Sequence, residues 1–135
     1  MMKRARVVLA DDHPAVAEQL RGVLEPEFEV VAVVSDGHAL LTAVERFRPD
    51  VIVTDVAMPG LDGIAATREL LRREPGARVV FITIHDNPAL VKQALAAGAF
   101  GYVVKLAAGE DLVPAVHAAL RGEQHVALSD RREDG

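Results

Sequence analysis

The sequence predicts an α/β domain in which a parallel sheet is covered by helices on both faces. Short β-branched runs alternate along the chain with stretches of helical periodicity, which is the pattern of successive βαβ units. These runs are apolar nearly throughout, as expected for strands buried on both faces. The chain has 135 residues, of which 50% are hydrophobic, and this length fits one domain with a sizeable core.

The β-branched runs place five strands. They are predicted at Arg6–Ala10, Phe28–Val34, Val51–Thr54, Ala77–Ile84 and Gly101–Val104. Between and after them, residues recur at the helical intervals of three and four. The positions that share a face in the five predicted helices are, in chain order, Val16, Leu20 and Val23; Leu40, Val44 and Phe47; Ile64, Thr67 and Leu71; Val91, Leu95 and Gly98; Val113, Val116 and Leu120.

Prolines, an aspartate and glycines mark the predicted helix ends. Pro14 and Pro88 suit the first helical turn, where the missing N–H costs nothing. Asp36 suits the N-cap of the second helix. Gly98 and Gly122 suit the left-handed conformation in which many helices end.

Pro114 constrains the start of the last helix, because a proline beyond the first turn bends a helix. Either Asp111 is the N-cap and the helix opens at Leu112, or the helix starts at Gly109 with a distorted first turn. The second start would place Glu110 and Asp111 near the positive end of the helix dipole.

Composition excludes several classes of function. The chain has no cysteine, so disulfides and cysteine-based metal or nucleophile sites are excluded. The formal net charge is -5 and the basic residues are scattered, which argues against nucleic-acid contact by this domain. No apolar run approaches the ~20 residues that span a bilayer, and the basic N-terminus lacks the apolar stretch of a secretory signal. We therefore expect a cytoplasmic protein without membrane contact.

Charged and hydroxyl side chains follow the predicted strands at their carboxyl ends, where open parallel sheets gather functional groups. Asp11 and Asp12 come after the first strand, and Asp55 comes after the third. Thr83 lies at the end of the fourth strand, and Lys105 follows the fifth. If the first and third strands are neighbours, three carboxylates converge near one ammonium group.

Clustered carboxylates need compensation, because two unit charges about 4 Å apart repel by roughly 4 kcal/mol at a surface-like dielectric. Protonation or a bound cation relieves this repulsion, and hard oxygen ligands favour magnesium over zinc. An ionised Asp55 is already a nucleophile. With a dication and Lys105 beside it, the site has the parts that phosphoryl transfer requires. The hydroxyl of Thr83 could then donate to a phosphoryl oxygen.

Four segments carry a family resemblance: LADDH (Leu9 to His13), VTDVAMPGLDG (Val53 to Gly63), FITIHD (Phe81 to Asp86) and GYVVK (Gly101 to Lys105). In this order and spacing, the sequence resembles the receiver domain of bacterial two-component response regulators. The resemblance implies a flavodoxin-like, doubly wound (βα)5 fold with the strand order 2-1-3-4-5.

The resemblance also implies the phosphoacceptor and the cofactor. Asp55 is the implied phosphorylation site, which receives the phosphoryl group from a sensor histidine kinase. Magnesium is the implied cofactor, and its implied ligands are Asp11, Asp12, Asp55 and the backbone carbonyl of Ala57.

Three further roles follow from the same resemblance. Lys105 and Thr83 contact the phosphoryl group. Thr83 and Tyr102 form a conformational switch, in which Tyr102 swings inward behind the threonine. The implied chemistry is limited to self-phosphorylation and slow autodephosphorylation, so we do not expect an enzyme that acts on other substrates.

A finer resemblance lies in TIHDNPALVKQALAAGAFGYVVK and EDLVPAVHAALRGE, which are similar to the NarL/FixJ-type regulators. These normally carry a C-terminal helix-turn-helix domain of the LuxR type. We assign residues 1–124 to the receiver domain and residues 125–135 to a C-terminal tail or the start of a linker. Output is then transcriptional, with a homodimer expected on phosphorylation. A stand-alone receiver that acts by protein–protein interaction or in a phosphorelay is the alternative.

Two positions depart from the usual receiver pattern. Many receivers have a proline after the lysine, often with a cis bond, whereas Leu106 stands here. Because a cis bond before another residue costs ~3 kcal/mol, we expect a trans bond. Many receivers have a small residue after the threonine, whereas Ile84 stands here and is expected to narrow access to Asp55.

Alternatives to a phosphorylated receiver stay open. A phosphatase with an aspartyl nucleophile usually has a second acid two residues later, where this chain has Ala57. A flavodoxin-like cofactor protein needs a phosphate-binding loop after the first strand, where Asp11 and Asp12 would repel phosphate. A degenerate receiver would bind partners without phosphorylation. Asp11 and Asp12 also suit helix capping, as does Asp62 before Gly63.

Overall fold

A computed structural model describes residues 3–128. Six strands form one sheet in the order β2-β1-β3-β4-β5-β6, and every neighbouring pair is parallel. The elements are β1 Arg6–Ala10, α1 Pro14–Leu24, β2 Glu29–Val34, α2 Gly37–Phe47, β3 Val51–Thr54, α3 Gly63–Arg73, β4 Val79–Thr83, α4 Pro88–Ala96, β5 Gly101–Val104, α5 Ala108–Leu120 and β6 His125–Ala127.

The predicted fold class and the order of the first five strands are confirmed. The sixth strand is an addition, because residues 125–127 pair with β5 although the sequence pattern placed them in a tail. Three residues are too few to show the alternation that marks a strand. Residues 129–135 of the predicted tail lie outside the described residues.

The core lies in two layers, one on each face of the sheet. Val7 and Leu9 of β1 join the layer under α1 and α5, whereas Val8 and Ala10 join the layer under α2, α3 and α4. This alternation follows from the two-residue period of a strand. It explains why the runs that form β1, β3 and β4 are apolar at successive positions.

The second strand does not meet the expectation of burial on both faces. β2 is an edge strand, its side chains are mostly half-buried, and Val33 is 43% exposed. Phe28, predicted as the first residue of this strand, precedes it and is buried. The run is apolar because one face is covered, and its position at the edge is set by the strand order.

Most predicted helix ends are found where the sequence placed them. Pro14 and Pro88 open α1 and α4, and an Asp36 carboxylate oxygen accepts a hydrogen bond from Ala39 N at 2.8 Å. Gly98 and Gly122 follow α4 and α5 with φ angles of 109° and 77°, the left-handed region that glycine tolerates.

The start of α5 differs from both predicted starts. A 3-10 turn over Lys105–Ala107 leads directly into the helix at Ala108, so Pro114 lies beyond the first turn. Asp111 is therefore inside the helix, and one of its carboxylate oxygens lies 3.1 Å from His125 Nε2. The buried face of the helix is apolar: Ala108, Leu112, Ala115, Val116 and Ala119. Burial of such side chains, worth about 1.5–3 kcal/mol for a large one, offsets the roughly 3 kcal/mol cost of an interior proline.

Three arginines near the amino ends of the strands cap the carboxyl ends of helices. They lie at the edge of the sheet opposite to the acids. Each donates to a carbonyl in or just after the last turn of a helix: Arg4 to Glu25 O at 2.6 Å, Arg6 to Phe47 O at 2.5 Å and Arg78 to Ala119 O at 2.9 Å. Cations are favourable at helix carboxyl ends, so these contacts fix α1, α2 and α5 against the sheet.

The first residue of α2 requires glycine because the chain approaches it closely. A Cβ atom on Gly37 would lie 2.1 Å from the carbonyl oxygen of Leu61, in the loop before α3. A Cβ atom on Gly22, within α1, would meet nothing within 4 Å. The two glycines therefore form a matched pair.

We expect Gly37→Ala to destabilise the domain by about 1–3 kcal/mol through overpacking. Gly22→Ala should instead stabilise it by about 0.5–1 kcal/mol, because alanine is the better helix former. Urea unfolding of both variants measures the difference. Equal stabilities would show that the α2–Leu61 contact is not tight.

Candidate functional site

Acidic side chains from two neighbouring strands meet at the carboxyl edge of the sheet. Asp11, Asp12, His13 and Asp55 each offer one ligand atom, and these four atoms all lie within 4.8 Å of one another. The cause is the β1–β3 pairing, since Asp55 N donates to Ala10 O at 2.9 Å. The structure thus brings together the three predicted aspartates and adds His13, to which the sequence pattern gave no role.

Lys105 connects two of these carboxylates. Its Nζ lies 2.9 Å from Asp55 Oδ2 and 2.9 Å from Asp11 Oδ2, and its side chain is 14% exposed. Burial by itself lowers the pKa of the ammonium, but the close contacts with the charged carboxylates of Asp55 and Asp11 outweigh burial, so the pKa is raised. The site therefore holds a fixed positive charge.

The carboxylates still lack compensation after this pairing. Three carboxylates and one ammonium leave two negative charges. Asp11 and Asp55 are buried, and Asp11 Oδ2 and Asp12 Oδ1 have no hydrogen-bond partner. The approach of Lys105 to Asp11 Oδ2 is an ion pair outside hydrogen-bond geometry. Unpartnered oxygens and an excess of two charges fit a hard divalent cation.

Neither predicted acid caps the first helix. The N-cap of α1 is His13, and it makes no side-chain capping bond. Instead, Asp11 Oδ1 accepts a hydrogen bond from His13 N at 2.9 Å. A capping role for Asp11 and Asp12 is therefore wrong, and both carboxylates are available to the site.

The loop after β3 is held tightly against α3. Asp62 is the N-cap of α3, where its carboxylate accepts from Ala65 N at 2.8 Å, as expected of a capping residue. A Cβ atom on Gly63 would lie 2.0 Å from Asp55 O, so only glycine allows this approach. Ala57, the predicted carbonyl ligand, donates its N–H to Asp55 Oδ1 at 3.4 Å.

Thr83 and Tyr102 are both connected to the backbone of His85. Thr83 Oγ1 accepts a hydrogen bond from His85 N at 3.2 Å, and the Tyr102 hydroxyl donates to His85 O at 2.7 Å. Thr83 and Tyr102 are fully buried, so in this conformation the tyrosine already points inward. A backbone group carries no residue-specific signal, which is why the sequence did not indicate His85.

A cleft of about 590 Å³ opens above the carboxylates. Ile84 lines it and is 72% exposed, whereas Leu106 is 83% exposed. No peptide bond among residues 3–128 is cis, which confirms the expected trans bond before Leu106. The other residues that line the cleft include Asp12, His13, Asp55, Ala57, Pro59, His85 and Lys105.

A known protein family matches most of this chain. The family described as "Response regulator receiver domain" matches residues 7–117. The chain belongs to this family of receiver domains.

Two curated relatives indicate the type of response regulator. Transcriptional regulatory protein DegU of Brevibacillus brevis is 38% identical over 125 residues, which cover 91% of this chain and 53% of the relative. The probable transcriptional regulatory protein NarL of Mycobacterium tuberculosis is 36% identical, with coverage of 94% and 60%. The chain thus spans little more than half the length of the curated relatives it matches. The predicted NarL/LuxR-type relationship is confirmed.

Solved structures show the same likeness. A two-component response regulator of the LuxR family from Aurantimonas sp. SI85-9A1 superposes with a TM-score of 0.88 at 36% identity, covering 98% of this chain and 94% of that one. The signal receiver domain of the putative response regulator NarL from Mycobacterium tuberculosis superposes with a TM-score of 0.86 at 35% identity. The match covers 90% of this chain and 100% of that one. Within residues 3–128, no helix is long and apolar enough to cross a membrane.

The single tyrosine gives a direct test of the buried site. Burial, reinforced by the negative charges of Asp86 and Asp55, raises the pKa of Tyr102 to about 12. The neutral phenol therefore stabilises the folded state fully below pH ~10, the ordinary tyrosine pKa. This contribution is lost as the pH rises through about 12.

We expect the folded chain at pH 11 to have only about one-tenth of its phenol ionised, against about nine-tenths in urea, where the pKa returns to ~10. The chain has one tyrosine and no tryptophan, so phenolate absorbance reports Tyr102 alone. Circular dichroism verifies the fold at each pH. A folded sample that is more than half ionised at pH 11 would contradict the buried, neutral phenol.

Proposed function

We propose that Asp55 of this receiver domain accepts a phosphoryl group from the phosphohistidine of a sensor kinase, in a magnesium-dependent reaction. The observation that supports this most is the Asp55 carboxylate, buried and 2.9 Å from Lys105 Nζ, beside carboxylate oxygens that have no hydrogen-bond partner. An ionised carboxylate in this position needs no general base.

The proposed transfer needs only the carboxylate and the phosphohistidine as reactants. A carboxylate oxygen of Asp55 forms a bond to phosphorus, and the phosphorus–nitrogen bond of the phosphoimidazole breaks, leaving its electron pair on the imidazole nitrogen. Lys105 neutralises charge on the phosphoryl oxygens, as cationic clamps do in phosphoryl transfer. Hydrolysis of the resulting acyl phosphate returns the carboxylate, so turnover is limited to the protein's own phosphate.

The donor set is suited to magnesium. We propose that the carboxylates of Asp11, Asp12 and Asp55 and the carbonyl of Ala57 hold the ion. All four donors are hard oxygens, and the three carboxylates carry the uncompensated charge. A bound magnesium ion would neutralise charge on the transferring phosphoryl group.

The switch is proposed to run through His85. When the Thr83 hydroxyl turns toward a phosphoryl oxygen, it no longer accepts from His85 N, a contact of 3.2 Å in this conformation. The carbonyl of the same residue holds the Tyr102 hydroxyl at 2.7 Å. Movement of this peptide therefore changes the positions available to Tyr102, which shifts the population between two conformations.

Output is proposed to be transcriptional. The curated relatives are named transcriptional regulatory proteins, and this chain covers 53% of DegU and 60% of NarL. We propose that residues 1–124, with β6 added at the edge of their sheet, form the receiver unit, that a DNA-binding portion supplies the output, and that phosphorylation raises the homodimer fraction.

Incubation with acetyl phosphate and magnesium should add one phosphoryl group to the chain, measured by intact mass, if Asp55, 2.9 Å from Lys105 Nζ, is the acceptor. Asp55→Asn should gain none. Asp62→Asn is the matched control, since Asp62 caps α3 outside the ligand cluster, and it should still be phosphorylated. Phosphorylation of the Asp55 variant, or none in the unaltered chain, would refute the proposal.

Magnesium should also stabilise the fold without any phosphodonor. At about 100 times its dissociation constant, an ion that binds only the folded state adds about 2.7 kcal/mol. Asp12→Asn should lose most of this increment, whereas Asp62→Asn should keep it. Urea unfolding with and without magnesium makes the comparison, and equal increments in both variants would exclude Asp12 as a ligand.

A further inference from the structure

We propose that the imidazole of His13 is an additional, nitrogen ligand of this metal site, so that the site also takes a divalent transition ion such as Co²⁺, Ni²⁺ or Zn²⁺. The inference rests on the metal site of the proposed function, but not on phosphorylation of Asp55. It assigns a role to a residue for which a receiver-type magnesium site has no need.

The spacing of the donor atoms supports a shared ion. His13 Nδ1 lies 3.1 Å from Asp12 Oδ1 and 3.4 Å from Asp11 Oδ1. Metal–ligand bonds of about 2.1 Å place neighbouring ligands of an octahedral ion about 3 Å apart. The four candidate donor atoms, including that of Asp55, fall within 4.8 Å of one another. Nδ1 is therefore placed as a neighbouring ligand would be.

The Asp12 contact is close without being a hydrogen bond. Asp12 Oδ1 is buried and has no hydrogen-bond partner, although His13 Nδ1 is 3.1 Å away. The side chain of Asp11 is fully buried, with Oδ2 ion-paired to Lys105 Nζ at 2.9 Å and Oδ1 facing His13 Nδ1 at 3.4 Å. His13 Nδ1 and Asp12 Oδ1, 3.1 Å apart without a hydrogen bond between them, are spaced as two ligands of one ion would be.

The position of His13 in the chain makes this role compatible with the fold. His13 is the N-cap of α1 but makes no side-chain capping bond, and its side chain is 67% exposed. Its backbone is fixed instead, because His13 N donates to Asp11 Oδ1 at 2.9 Å. The imidazole is thus tethered beside the carboxylates, and the core does not depend on it.

A nitrogen ligand changes which ions the site prefers. Magnesium takes oxygen ligands and gives up its water reluctantly, so it gains little from an imidazole. Affinity for nitrogen-containing sites rises from Mn²⁺ through Co²⁺ and Ni²⁺. His13 should therefore raise the affinity for these ions and leave that for magnesium almost unchanged.

The test compares Co²⁺ and Mg²⁺ binding to the unaltered chain and to His13→Gln. We expect the substitution to weaken Co²⁺ binding at least about tenfold, which is the order of the affinity lost when a group at a metal site is removed. Mg²⁺ binding should change by less than about twofold. Isothermal titration gives both affinities. Proton NMR of the Co²⁺ form should show the strongly shifted ring resonances of one coordinated histidine, and these should vanish in the variant.

Two control variants separate the outcomes. His85→Gln removes the other imidazole that lines the cleft and should keep the shifted resonances. Asp12→Asn should weaken the binding of both Co²⁺ and Mg²⁺. If Asp12→Asn weakens the binding of both ions but no histidine resonance is shifted, the metal site of the proposed function is supported and the role of His13 is refuted. If histidine coordinates Co²⁺ but Asp55 gains no phosphoryl group, the proposed phosphorylation fails while this inference stands.

Discussion

Lys105 holds two buried carboxylates, those of Asp11 and Asp55, each at 2.9 Å, and the arrangement of the sheet depends on this contact. The three residues follow different strands, β5, β1 and β3. Burying an ion without a partner costs several kcal/mol, so a change in strand order or direction would leave a charge stranded in the interior. Parallel strands in the order 1-3-4-5 bring the three groups to one edge, and the adjacent β4 supplies Thr83 and the chain to His85.

The same parallel arrangement separates charge between the two edges of the sheet. Each crossover helix runs opposite to the strands, so helix amino ends face the carboxylate edge and carboxyl ends face the other. Arg4, Arg6 and Arg78 cap three of those carboxyl ends. The positive ends of the helix dipoles are directed toward the acidic site. Helix amino ends favour anions, which suits an edge at which a phosphoryl group is proposed to arrive.

Asp55 and the two residues of the proposed switch are held in different ways. Asp55 is held by the β1–β3 pairing, by Lys105 and by the close approach of Gly63. Thr83 and Tyr102, in contrast, each make a single side-chain hydrogen bond to the backbone of His85, a residue that follows the sheet. This difference suits the proposed switch, since a small rearrangement at Asp55 could change the loop at His85 without disturbing the core.

The sequence by itself determined the fold class, the family and the positions of the acids and the lysine, because apolar runs define the strands and the residues after them must lie at one edge. It did not determine β6, whose three residues are too short for a pattern, or the start of α5, where apolar burial overrides the helix-bending effect of Pro114. The tertiary structure also decided that His13 faces the carboxylates and that His85 joins Thr83 to Tyr102. These last contacts depend on rotamers and backbone groups that local sequence does not specify.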